Sequence, residues 1–199
     1  MKFLKSILLL PVMIAGLAAP AMAQQPSIAV FNEERVLRES AVGQHIAARI
    51  QEIATEIDAE LNALGQPIQQ ETERLNAETA SMTPQTIQSR PDLMQRIETL
   101  NQNAQQFELA RRARQQELVQ TERQSMAPVY QALQPILQAV VEERGIDILI
   151  DRGNLVFASA DVDITPLVIE RLNTALPTVP VTRVRISQEA AAAAAGQQQ

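Results

Sequence analysis

The chain reads as an α+β protein: a small β-strand body carrying a long antiparallel α-helical coiled-coil hairpin arm. Three observations carry this reading. Ile28-Ala29-Val30-Phe31 is a short apolar run of strand type near the start. From Ala41 to Arg144 the sequence turns polar and helical, with apolar residues at coiled-coil spacing. It then returns to strand pattern at Ile146-Asp147-Ile148-Leu149-Ile150 and again at Leu155-Val156-Phe157-Ala158. Two helices that leave and re-enter one small body are exposed along most of their length, a shape better suited to gripping something else than to catalysis.

Residues 1–23 have the three parts of an export signal: Lys2 and Lys5, an apolar stretch from Ile7 to Leu17, and the small-residue cleavage site Ala21-Met22-Ala23. The stretch is shorter than the ~20 residues of a membrane span, and Pro11 interrupts it. Cleavage is expected to start the mature chain at Gln24, as a soluble exported protein. It also removes the only two lysines, taking the formal net charge from −6 to −8 and leaving Arg as the sole strong cation. So acidic a chain is a poor nucleic-acid partner, because phosphate neutralisation supplies most of that affinity. With no Cys, disulfides are excluded and stability must come from packing or assembly. Aromatics at 3% point to helical rods rather than a compact globular core.

The body is expected from residues 27–40 and 145–176, the arm from 41–144. In the first arm helix Val42, Ile46, Ile50, Ile53, Ile57, Leu61, Leu64, Ile68 and Leu75 recur every three or four residues, with one longer step. Ser40 is placed to cap it, and Pro67 to kink it. The pattern fails at Ser81-Met82-Thr83-Pro84 and at Ser89-Arg90-Pro91-Asp92, which puts the hairpin tip between them, with one short helical turn starting at Thr83-Pro84. The second helix resumes with Leu93, Ile97, Leu100, Ala104 and Phe107. It continues less regularly through Leu118, Met126, Val129, Leu133, Ile136, Leu137, Val140 and Val141. Pro128 and Pro135 should bend it, and Gly145 should stop it. Asp151-Arg152-Gly153-Asn154 reads as a β-hairpin turn using positive φ. Thr165 and Pro166 read as the N-cap and first residue of a final helix that Pro177 and Pro180 end. Residues 177–199, alanine- and glutamine-rich from Gln188, are expected to be disordered.

The blocks Ile28-Ala29-Val30, Arg35-Val36-Leu37-Arg38-Glu39-Ser40 with Gly43, Gln134-Pro135-Ile136-Leu137, and Gly145 to Asp151 follow one another around the coiled coil. Val156-Phe157-Ala158-Ser159, Val162-Asp163-Ile164-Thr165 and Val168 to Asn173 complete the series. Together they resemble the Skp (OmpH-like) periplasmic chaperone family from about Ser27 to Leu176. The resemblance implies a homotrimer with a β-barrel body and three arms around a cavity. It also implies an ATP-independent holdase whose partners are unfolded outer-membrane proteins. Ile28, Val30, Ile148, Ile150 and Val156 are the candidate oligomerisation residues, and Met82, Leu93 and Met94 near the tip the candidate client contacts. The best-known members are strongly basic with lysine-rich arms. This acidic, lysine-free mature chain argues against carrying over membrane or lipopolysaccharide contact.

No catalytic, cofactor or metal site is expected. No phosphate-binding Gly-x-x-x-x-Gly-Lys loop is present, and His45 is the only histidine, read as solvated at the start of a polar helix. Asp161 and Asp163 read as a loop carboxylate and a helix-entry residue rather than metal ligands. Arg111, Arg112 and Arg114, followed by Arg123, form one local basic cluster. Ion pairing across the hairpin with acids between Glu56 and Glu73, or a simply solvated face, is favoured for it over anion or client contact. The competing function is a structural coiled-coil tether or spacer of the cell envelope.

Overall fold

The computed structural model describes residues 26–186. The export signal, the Gln24 start and the tail from 187 onward lie outside the described residues. In order, the elements are β1 (Ile28–Phe31), α1 (Glu33–Glu39), α2 (Ala41–Thr79), α3 (Pro84–Gln88), α4 (Pro91–Arg144), β2 (Ile148–Asp151) and α5 (Thr165–Ala175). At the standard rise α2 spans about 58 Å and α4 about 81 Å, so a long helical hairpin dominates the molecule. Residues further along α2 meet residues earlier on α4: Glu60 pairs with Arg114, Glu71 with Arg96, and Glu78 with Arg90.

Local chemistry sets the boundaries. The Asn32 side chain accepts from the Arg35 amide at 2.8 Å and opens α1. Ser40 both ends α1 and caps α2: its amide donates to the Val36 carbonyl at 3.0 Å, and its Oγ accepts from the Gly43 amide at 3.2 Å. One residue thus joins two helices, so Leu37 presses on Gly43, where a Cβ would lie 1.5 Å from the Leu37 carbonyl oxygen. Both helices run unbroken through their interior prolines, Pro67 in α2 and Pro128 and Pro135 in α4. The tip turn has Thr83 as cap and Pro84 as first residue. Gly145, left-handed at φ 59°, closes α4 while the Ile146 amide returns to the Val141 carbonyl at 3.0 Å.

The core lies where the hairpin meets the body. Ala29, Phe31, Val36, Val42, Ile46, Val129, Leu133, Val140, Ile146, Ile164, Val168 and Leu172 are buried against one another there. Further out the seam thins. Ile53, Ile57 and Leu75 are buried, Ile50, Leu61 and Ile68 half-buried, and Leu64 exposed. A straight helix drifts from a 3.5-residue repeat, so a two-helix arm cannot keep every seam position inside.

The sheet is smaller than the sequence suggested. β1 and β2 are parallel, in register from Ile28 with Ile148 to Phe31 with Asp151. The second strand thus starts at Ile148, and Ile146 belongs to the core. No hairpin follows. Residues 152–154 form a 3-10 turn in which the Asp151 carboxylate accepts from the Gly153 amide at 2.6 Å, and neither Gly153 nor Asn154 has positive φ. Residues 155–158 are not a strand: after the 3-10 turn they pair with neither β1 nor β2, although the outer edge of β2 is open. The other side of Val30 is occupied by a bridge to Asp163, where the Ile164 amide donates to the Val30 carbonyl at 2.9 Å.

The entry to α5 is also revised. Ile164 is its cap residue, and the Asp163 carboxylate accepts from the Thr165 amide at 2.9 Å. The buried Thr165 hydroxyl instead accepts from the Asn32 amide at 2.9 Å, tying α5 to the start of α1. Residues 177–186, expected as part of a disordered tail, run along the hairpin. Val179 is buried in the core, and its carbonyl lies 3.1 Å from His45 Nε2. His45 is therefore a half-buried anchor rather than a solvated side chain.

Candidate functional site

Two surfaces expose apolar side chains. The first is on the body. Ile28 and Ile148 are register partners, so their side chains share one face of the sheet, and both are exposed. Beside β2, Val156 is 107% exposed and Phe157 82%. These are the most exposed large apolar side chains among the described residues, and singly exposed apolar residues are ordinary but a run with a bare Phe is not. Of the five candidate oligomerisation residues, Ile28, Ile148 and Val156 stand on the surface and Ile150 is half-buried. Val30 is excluded as a surface contact. It is already buried within the chain, between the Ile150 register and the Asp163 bridge.

The second surface is the arm. At its root an open groove of about 700 Å³ is lined by Leu37, Ile46, Ala47, Ile50, Met126 and Tyr130, with Glu34, Arg38 and Glu122 at its margin. Tyr130 is exposed at its edge, and Val119, Leu64 and Met94 continue an intermittent apolar surface along the arm. Halfway up, a larger concavity of about 940 Å³ opens beside Gly65 and Phe107, among Asp58, Asn62, Gln66, Gln69 and Arg111.

Of the tip candidates, Met94 is exposed and Met82 half-buried. Leu93 is corrected: it heads the apolar seam of α4, is 0% exposed, and holds the tip together rather than meeting a client. The sequence pattern missed the root groove because its apolar members belong to three helices. The one available signal was Tyr130, four residues after Met126 on α4 and outside the apolar positions read as the seam.

The basic cluster separates. Arg114 reaches Glu60 on α2 at 2.9 Å, the cross-hairpin pairing that was favoured. Arg111 pairs locally with Glu108 at 2.8 Å, and Arg112 is exposed. Closer to the tip, Arg96 bridges Glu71 at 2.8 Å and Glu78 at 2.7 Å, fixing the register of the two helices. Arg90 grips Asp92 and holds its carboxyl down at about 2, chiefly through their hydrogen bonds. Asp163 is held by the Thr165 amide and pairs with Arg35 at 3.6 Å, which makes it a helix-entry residue. Among the described residues no group of three or more potential ligands could hold a metal, and no helix is long and apolar enough to cross a membrane.

Comparison with known proteins fits this geometry. The model of the outer membrane protein (OmpH-like) family matches residues 27–172, from β1 into α5. The chain belongs to the OmpH-like family. It is 26% identical over 158 residues to the chaperone protein Skp of Yersinia enterocolitica, covering 79% of this chain and 92% of that one. A crystal structure from Caulobacter crescentus CB15, described as a candidate OmpH-like outer membrane chaperone, superposes with a TM-score of 0.68 at 27% identity. That match covers 82% of this chain and 94% of the other. The Skp/OmpH-like family is one of non-enzymatic chaperones.

Proposed function

We propose that this OmpH-like protein is an ATP-independent periplasmic holdase, which keeps unfolded outer-membrane β-barrel precursors from aggregating before membrane insertion. Family membership supports the chaperone role. The observation that carries the mechanism is the long arm with an open apolar groove at its root. Unfolded β-barrel segments alternate apolar and polar residues and carry unpaired backbone. Many shallow contacts retain such a chain without imposing one bound conformation, and preferential binding of the unfolded state slows aggregation by mass action.

The working unit is a homotrimer with three antiparallel arms around a cavity and bodies joined through Ile28, Ile148, Val156 and Phe157. Two four-residue strands are too small a sheet to be stable alone. A second chain also provides the apolar cover that Val156 and Phe157 lack. Export follows from the N-terminal signal, with the mature chain starting at Gln24. Met94 and Met82 serve as tip contacts, Met being adaptable enough for varied clients.

The test is light scattering of a β-barrel protein diluted from urea, with and without this protein and without nucleotide. Suppressed scattering at near-stoichiometric ratio is expected. Unchanged scattering, together with tight binding of a folded envelope protein, would establish the tether instead.

A further inference from the structure

The seam of α4 changes character between Phe107 and Met126. Its buried positions there are Ala110, Ala113, Glu117, Thr121 and Ser125, small or polar where a coiled coil places Leu. Residues 177–186 cover this face. Pro177 and Pro180 keep the segment from continuing α5. From Val179 to Arg183 alternate residues turn inward: Val179, Val181 and Arg183 face the protein, while Pro180 and Thr182 are less covered or exposed.

The groove holds this segment by its main chain and by one side chain. The Val184 amide donates to Thr121 Oγ1 at 2.9 Å and the Ile186 amide to Glu117 Oε1 at 3.0 Å, two donors at strand spacing. The Arg183 guanidinium donates to both Glu60 oxygens, at 2.7 and 2.9 Å, and to Glu117 Oε2 at 3.0 and 2.8 Å. Arg114 completes the ring, at 2.9 Å to Glu60 and 2.7 Å to Glu117. Glu117 is 0% exposed, and a buried carboxylate is costly unless fully paired. The groove is thus built around a second guanidinium arriving on an extended chain. This segment also lies beyond residue 172, where the family match ends.

We propose that this α2–α4 groove is a binding site for extended, alternating, arginine-bearing chain. Residues 179–186 occupy it in the resting protein, and matching segments of an unfolded client displace them. The proposal rests on the client reading above and gives it a specific receptor. Alternation, free main-chain amides and a guanidinium are what the groove reads, and unfolded β-barrel strands offer the first two as a class. A tethered segment competes from millimolar effective concentration, so only a client held at several points displaces it.

The test uses a fluorescent synthetic peptide spanning residues 178–186, added to the full-length protein and followed by anisotropy. Two variants free the groove: Arg183→Glu, which repels Glu60 and Glu117, and Val184→Pro, which removes the amide donated to Thr121 and leaves all four charges intact. The peptide is expected to bind either variant at least tenfold more tightly than wild type, to lose at least tenfold when its own Arg183 is changed to Gln, and to be displaced by urea-unfolded β-barrel protein. Equal binding to wild type and both variants, or indifference to that arginine, overturns the receptor. A peptide that binds as expected but resists displacement, while light scattering shows the client held, overturns the client competition and leaves the holdase reading standing. Failure of the holdase reading appears separately, as no effect on scattering.

Discussion

Replacing Gly43 by alanine places a methyl carbon 1.5 Å from the Leu37 carbonyl oxygen and 2.7 Å from its carbon. Both obstacles are backbone, and the single residue Ser40 joining α1 to α2 leaves them no slack. Restoring contact distance means moving one helix against the other at the edge of the core, where Val36, Val42 and Ile46 are buried. Overpacking typically costs about 1–3 kcal/mol. A backbone obstacle this close belongs at or above the upper end, so Gly43→Ala is expected to destabilise by about 3 kcal/mol or more. Gly65, in the same helix, is the internal control. There the new methyl meets only the Phe107 ring edge at 3.3 Å, beside an open concavity into which the ring can turn. Alanine also gains about 0.5–1 kcal/mol over glycine inside a helix, so Gly65→Ala is expected to be neutral or stabilising by up to ~1 kcal/mol. Urea unfolding followed by circular dichroism measures both, at one fixed protein concentration because the proposed assembly would make stability concentration-dependent. Midpoints shifting together, or a Gly43→Ala cost below about 1 kcal/mol, would refute the reasoning.

Changing Val156 and Phe157 together to Asp should leave the helical content of one chain intact and abolish the oligomer, read by sedimentation equilibrium. A folded wild-type monomer at micromolar concentration would contradict the assembly proposal. Arg183, chiefly through its hydrogen bond, holds the Glu60 carboxyl at about 2 instead of 4.5. A depressed folded-state value stabilises above the unfolded one, so the 177–186 contact should be intact above pH 4.5 and be lost as pH falls from there towards 2. A fluorophore on Thr182→Cys, in a chain with no other cysteine, reports the release against a control label on Ser81→Cys. Identical profiles for the two labels would contradict it. Client affinity should stay constant or rise from low to physiological salt, since the chain is acidic, with a formal net charge of −6, and repulsion is screened beyond roughly 8–10 Å. Steep weakening, abolished by changing Arg111 and Arg112 to Gln, would show a basic patch driving capture.

The arm and its ends were legible because each is set by local chemistry: the Val42 to Ile57 period, the Ser40 cap, Thr83-Pro84 at the tip, Gly145 at the stop. The body was less so. A strand at 155–158 has the right composition, but the turn before it is a 3-10 turn rather than a β-hairpin turn, so the segment does not return along β2. At α5 the Asp163 carboxylate accepts the amide hydrogen bond at the helix entry, and the Thr165 hydroxyl is taken instead by the distant Asn32 amide. Residues 177–186 were missed for a similar reason. Their partners Glu60, Glu117 and Thr121 lie about 60 to 120 residues away, and low complexity begins only at Gln188. The signal was present on α4, as a Glu, Thr and Ser at successive seam positions where apolar residues were due.

This OmpH-like protein is proposed to hold its client unfolded and to release it competent to insert. The most direct measurement of this is hydrogen exchange of an outer-membrane β-barrel protein bound to it without nucleotide, before and after lipid vesicles are added. The account predicts fast exchange throughout the bound client, then the protection of a folded barrel once vesicles are present. A client already protected while bound, or one that never gains protection on vesicle addition, would contradict it.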